Sequence, residues 1–157
     1  MPTVRHTTTI AAPPDRVFEV LADLESIGRF SPGVRAVELR DGPRTGPGAR
    51  RRCLVAPMGH LDEEVVAWEP GRRMVLATRG GMPMEATADW EVSGPVTGPT
   101  TVTVTMDYAL RGGPLGRAVA RAGLHRRLDR TFRDNLAGLR LHVEHGTDVG
   151  RALPAGT

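Results

Sequence analysis

Of the residue types that exchange protons or hold anions near neutral pH, the chain offers five histidines, one tyrosine, one cysteine and 21 arginines, with no lysine. Their spacing matches none of the compact catalytic motifs: HExxH, the phosphate-cradling glycine loop, the Rossmann glycines and GxSxG are all missing. "HVEH" at 142–145 sets two histidines at i and i+3, a spacing for weak metal binding, but it falls in the last turn of a helix, where fraying is the simpler reading. No metal and no nucleotide cofactor are therefore expected. Cys53, the single cysteine, cannot form an internal disulfide and lies in an apolar run, which predicts a buried structural thiol. What remains for chemistry is a dispersed set able to act as proton carriers or hydrogen-bond donors: Arg52, His60, Asp62, Glu64, Tyr108, His125 and Asn135.

These residues must be positioned by strands and one long helix. Residues 3–10, "TVRHTTTI", are β-branched and read as a strand that ends at "AAPP". Pro14, Asp15 and the helical spacing of Val17, Leu21 and Leu24 predict a helix, and "ESIGRFSPG" a second, short one. From Val34 to Leu110 turn signals divide the chain into six strands, roughly 34–40, 49–56, 60–69, 73–79, 84–92 and 100–110, the form of an antiparallel meander. Ala86, Ala88, Trp90 and Val92, and likewise Val102, Val104, Met106 and Tyr108, make inner rows. In 60–69 hydrophobicity does not choose between His60, Asp62, Glu64, Val66 and Trp68 on one parity and Leu61, Glu63, Val65 and Ala67 on the other.

On a helical wheel Leu124, Leu128, Phe132, Leu136, Leu139 and Val143 share one sector, with His125 and Asn135 in it or at its edge. Arg126, Arg127, Arg130, Arg133 and Arg140 lie opposite, on what reads as a solvated back face. Residues 114–122 are also helix-like, but their apolar positions point about 110° away from the later stripe, which predicts a break near Ala122–Gly123.

Composition narrows the class. The chain has 157 residues, 39% of them hydrophobic and 25% charged, as in an ordinary soluble domain, and no run approaches the ~20 apolar residues of a membrane span. A pI near 10.3 reflects arginine's high pKa, since the formal net charge is only +3. With 4% aromatic residues, a nucleic-acid surface of basic residues interleaved with stacking rings is not expected. The N-terminus carries no continuous apolar segment, so the expected location is the cytoplasm. One domain over 1–146 is expected, with a flexible tail over 147–157.

The segments "TTTIAAPPDRVFEVLADLESIGRFSPGVRAVEL", "VVAWEPGRRM", "TTVTVTMDYALRGGPLG" and "FRDNLAGLRLHVE" resemble the SRPBCC (START-like) superfamily, and within it the bacterial polyketide cyclase/dehydrase-like proteins. The resemblance runs from residue 3 to about 145. It implies an α+β helix-grip fold: a seven-stranded curved antiparallel sheet wrapped around the long C-terminal helix, two short helices between strands 1 and 2, and an internal hydrophobic cavity. It implies mouth loops at 56–59, 80–84 and 110–114, which bring Met58, Met82 and Met84 to the entrance. The lining it implies comprises Phe30, Glu64, Val66, Trp68, Met74, Trp90, Val104, Met106, Leu124, Leu128, Phe132 and Asn135. The function implied is binding of an apolar small molecule or polyketide with aldol cyclisation or dehydration; non-catalytic carriage of a lipid or hydrophobic metabolite is the alternative. For catalysis, His60 or His125 would be the base and Tyr108, Arg52 or Asn135 the donor. Multi-ring aromatase/cyclases carry a pocket arginine midway along the strand that reads "EEVVAWEP" here, where this chain has Val66. A homodimer is compatible with such a chain.

Overall fold

The computed structural model describes residues 2–80, 84–110 and 114–150. Strand β1 (Thr3–Ile10) is followed by helix α1 (Pro14–Ala22), a 3-10 turn over Leu24–Ser26 and the short helix α2 (Ile27–Phe30). The meander then supplies β2 (Val34–Leu39), β3 (Arg50–Val55), β4 (Gly59–Glu69), β5 (Arg73–Arg79), β6 (Met84–Ser93) and β7 (Thr100–Leu110), and helix α3 (Pro114–His145) closes the domain. All seven strands form one antiparallel sheet in the order β1-β7-β6-β5-β4-β3-β2. The N-terminal strand therefore joins the end of the meander. This is the helix-grip architecture the resemblance implies.

Local chemistry explains the element ends. Pro14 occupies the first turn of α1, where its missing N–H costs nothing, and Asp15 sits at the positive end of the helix dipole. Val17, Phe18, Val20 and Leu21 are its buried residues. The Asp23 carboxylate caps the following turn by accepting from the Glu25 N–H at 3.2 Å. Both predicted inner rows, in β6 and β7, are buried, and Leu124, Leu128, Phe132, Leu136 and Leu139 of α3 close over them.

One expectation is corrected. Helix α3 crosses Ala122–Gly123 without interruption. Ala118, Ala122 and Gly123 are exposed, so these positions demand no second buried face. Beyond Gly146 the chain is described as far as Gly150. It turns back so that His142 Nδ1 and Asp148 Oδ1 lie 2.7 Å apart and the Gly150 N–H donates to the Arg29 carbonyl at 2.6 Å. Residues 151–157 lie outside the described part.

The facing of β4 has a specific cause. Its register against β5 passes from Val65 opposite Leu76 to Ala67 opposite Val75, leaving Val66 as the extra residue of a β-bulge. Leu61, Glu63 and Val65 point inward before the bulge, and Trp68 turns inward after it, its ring meeting Phe18 edge-on at 5.1 Å. Neither parity holds along the whole strand.

Candidate active site

A cavity of about 70 Å³ lies between the sheet and α3. Most of its wall is apolar, including Ile27, Val34, Leu61, Leu76, Trp90 and Leu128. Set into that wall are Arg51 of β3 and Glu63 of β4, directly opposite each other in the strand register. Their side chains are only 5% and 16% exposed, and Arg51 Nε donates to Glu63 Oε2 at 2.5 Å.

The pair is held from several sides. Arg51 Nη1 donates to the Leu24 carbonyl at 2.9 Å, so the 3-10 turn fixes the guanidinium. Thr78 Oγ1 of β5 donates to Glu63 Oε1 at 3.3 Å, and the Cys53 thiol approaches Glu63 Oε2 at 3.8 Å. An ionised carboxylate accepts about four hydrogen bonds, so Glu63 keeps capacity for one more group. Burial works against the Arg51 charge, but the neighbouring Glu63 charge and its hydrogen bond outweigh it and hold its pKa above the ordinary value. Burial pushes the Cys53 thiol up to about 12, against the pull of Arg51. Cys53 is thus a protonated wall residue.

Across the cavity, Ser31 Oγ, just after α2, donates to Asn135 Oδ1 of α3 at 2.6 Å, both side chains buried. Thr131, one helical turn before Asn135, also reaches the wall. One side of the cavity therefore presents a cation–anion pair and the other a hydroxyl–amide pair.

Of the residues singled out from sequence, Met58, Met84, Trp90, Met106, Leu128, Phe132 and Asn135 line this cavity. Phe30, Met74, Val104 and Leu124 are buried in the surrounding core, and Trp68 packs on Phe18. His60 and Glu64 are exposed on the outer face, and Val66, 54% exposed, is the bulge residue. Arg52 also lies on that face, its guanidinium donating to both Asp62 oxygens at 2.8 and 3.1 Å. The outward facing of Arg52, His60, Glu64 and Val66 corrects the expectation that they reach the cavity, and the alternation forced by inward Cys53, Val55, Leu61 and Val65 is the reason. Tyr108 and His125 pair with each other, Oη to Nδ1 at 2.9 Å, with Tyr108 fully buried, outside the described cavity wall. Met82 lies outside the described residues. The charged groups that line the wall, Arg51 and Glu63, were open to one sequence signal: "RRR" at 50–52 and "DEE" at 62–64 flank a tight reversal in which each arginine meets an acid.

Residues 1–144 match the family described as "Polyketide cyclase / dehydrase and lipid transport". The chain belongs to this family. Similar solved structures of this fold include Zhui aromatase/cyclase from a Streptomyces species, at TM-score 0.76 and 22% identity over 91% of this chain and 93% of that one. TTHA0849 from Thermus thermophilus aligns at TM-score 0.72 and 25% identity, covering 90% and 97%. DynU16, described as a putative protein of the dynemicin biosynthetic locus, aligns at TM-score 0.67 and 22% identity over 96% of this chain, which spans only 51% of DynU16. No curated protein sequence matches the chain. Among the described residues of this polyketide cyclase/dehydrase family member, no helix is long and apolar enough to cross a membrane.

Proposed function

We propose that the protein binds an apolar, ketone-bearing chain between the sheet and α3 and cyclises or dehydrates it, with Glu63 as general base and Arg51 as the donor that holds the developing oxyanion. The observation that carries this reading is the buried Arg51–Glu63 pair in an otherwise apolar wall. A buried ion pair is weak support for stability. Its return lies in chemistry: a carboxylate beside a fixed guanidinium, in a water-poor cleft, is suited to enolate formation.

In the cyclisation Glu63 takes a proton from a carbon between two carbonyls, and the electron pair moves to the carbonyl oxygen facing Arg51. The enolate carbon then forms a bond to a second ketone carbon of the folded chain, and the new alkoxide recovers the proton from Glu63. Dehydration removes a further α-proton and expels the hydroxyl as one water. Folding the chain so that the reacting carbons meet is itself a large part of such catalysis.

At about 70 Å³ the cavity is smaller than the roughly 300–1,000 Å³ of pockets that enclose drug-sized ligands. A chain of that size enters by displacing wall side chains. Met58, Met84 and Met106 are in that wall, and unbranched thioether chains repack readily.

The test is to incubate the protein with a synthetic linear poly-β-ketone and follow ring formation. Glu63→Gln and Arg51→Gln, checked for fold by circular dichroism, are expected to slow it by about 100-fold or more. The outer-face variants His60→Ala and Arg52→Gln leave it unchanged. Wild-type rates in Glu63→Gln would sink the catalytic reading, and binding without turnover in the wild type would assign the cavity to carriage.

A further inference from the structure

Arginine is unevenly satisfied over this molecule. Arg16, Arg40, Arg44, Arg52, Arg73, Arg133 and Arg140 each sit against a carboxylate. Arg35 of β2 and Arg126, Arg127 and Arg130 of α3 have no ion-paired or hydrogen-bonded side chain among the described residues. These four line one open groove of about 470 Å³, together with Pro32 and Gly33, and Asp134 is its one acidic residue. Helix and strand thus bring four positive charges against one negative to a single concavity. On the helical wheel the three α3 arginines read as a featureless solvated face, because Arg35 comes to them only through the fold.

The groove begins where the cavity ends. Thr131 and Asn135 line both, and Ser31, which bonds to Asn135 on the cavity side, is followed directly by Pro32 and Gly33 on the groove side. A ligand lying across Asn135 would have its apolar part in the cavity and its other end among guanidiniums. We infer that Arg35, Arg126, Arg127 and Arg130 form a phosphate-binding subsite for a ligand whose apolar chain occupies the cavity.

Charge and geometry select the anion. A phosphate monoester carries about −1.5 to −2 charges at neutral pH and offers three acceptor oxygens, which matches several planar guanidinium forks. A lone carboxylate would leave most of the groove's charge uncompensated. A nucleic-acid strand would need exposed rings for stacking, and five of the six aromatic residues are buried while Trp68 packs on Phe18. The inference rests on the cavity being the ligand site, and names the amphipathic, phosphate-bearing class of molecule that site receives.

Calorimetric titration of the full chain with octyl phosphate, 1-octanol and inorganic phosphate tests it. Octyl phosphate is expected to bind at least about tenfold more tightly than either of the others. The Arg35→Gln/Arg126→Gln/Arg130→Gln variant is expected to lose that advantage, and the Arg133→Gln/Arg140→Gln variant, which removes ion-paired charge elsewhere on α3, to keep it. Equal affinities for octyl phosphate and octanol in the wild type would overturn the subsite while leaving the cavity reading intact. Binding of neither would overturn both. Octyl phosphate no tighter than inorganic phosphate would reduce the groove to an anion site unconnected with the cavity, and retention of the advantage in the triple variant would place the phosphate elsewhere. Sedimentation with phosphatidylglycerol vesicles, abolished in the triple variant and without any octyl phosphate advantage, would reassign the groove to a membrane surface.

Discussion

Within β3 and β4, adjacent arginines do opposite work. Arg51 is enclosed and bound to Glu63, while Arg52, one residue on, pairs with Asp62 in solvent. Removing one partner of the enclosed pair strands a charge, at a cost of about 3–5 kcal/mol. Glu63→Leu is accordingly expected to unfold at markedly lower urea than the wild type, and Arg51→Met/Glu63→Leu to recover much of that loss. A double variant no more stable than Glu63→Leu would show the pair is not isolated from water. Asp62→Asn, which breaks the exposed pair, is expected to shift stability by about 1 kcal/mol or less. Cys53 gives a pH test. Its thiol, at 9.0 when unperturbed, is pushed up to about 12 by burial, so the folded chain holds a proton that the unfolded chain releases. That contribution is full below pH 9 and is lost as pH rises toward about 12. Urea titrations across this window should show the wild type losing stability more steeply than Cys53→Ala; parallel curves would contradict the thiol's placement.

At the scale of elements, α3 shows how one residue type takes two roles. Gly123 has open space around the position of a Cβ, so Gly123→Ala is expected to stabilise the helix by about 0.5–1 kcal/mol through propensity. Gly138 lies against the Phe30 carbonyl of α2, and a Cβ there would collide with backbone. Gly138→Ala is expected to destabilise by about 1–3 kcal/mol despite its better propensity, because α3 must move off α2. Thermal melts of the two variants should move in opposite directions, and a stabilised Gly138→Ala would mean the two helices are not in contact. The β4 bulge belongs to the same scale: by inserting Val66 it lets Glu63 and Trp68, five positions apart, face the same side.

For the whole molecule, the decisive feature is that the sheet and α3 enclose an incompletely filled space. A ligand that binds only the folded state raises its stability by mass action, about 2.7 kcal/mol at a concentration 100 times Kd. Each kcal/mol moves Tm by about 2–4 °C in a chain of this size. An apolar probe such as 1-octanol is expected to raise Tm of the wild type and to have a smaller effect on Ala88→Leu, where the added side chain fills part of the cavity. Equal shifts in both proteins would place the probe outside it.

The local pattern of the chain was enough to determine its elements. Alternation in "MEATADWEV" and "TTVTVTMDYAL", turn residues at each reversal and the apolar stripe from Leu124 to Val143 respond to nearest-neighbour geometry, and those elements stand where the pattern puts them. Trp90, Leu128, Phe132 and Asn135 were legible as inward-facing positions for the same reason, whereas a cavity between those faces, and Met58 at its edge, followed only from the family resemblance. The polar half of the site was not. Whether Arg51 or Arg52, and Glu63 or Glu64, points inward depends on a single-residue register, and the bulge at Val66 makes both simple parities of β4 wrong over part of its length. The meeting of Arg35 with Arg126, Arg127 and Arg130 joins positions about 90 residues apart in sequence, so it exists only once α3 lies across the sheet. Periodicity fixes which residues share a face of one element; which faces meet, and which charges they bring together, is settled by the packing of the whole chain.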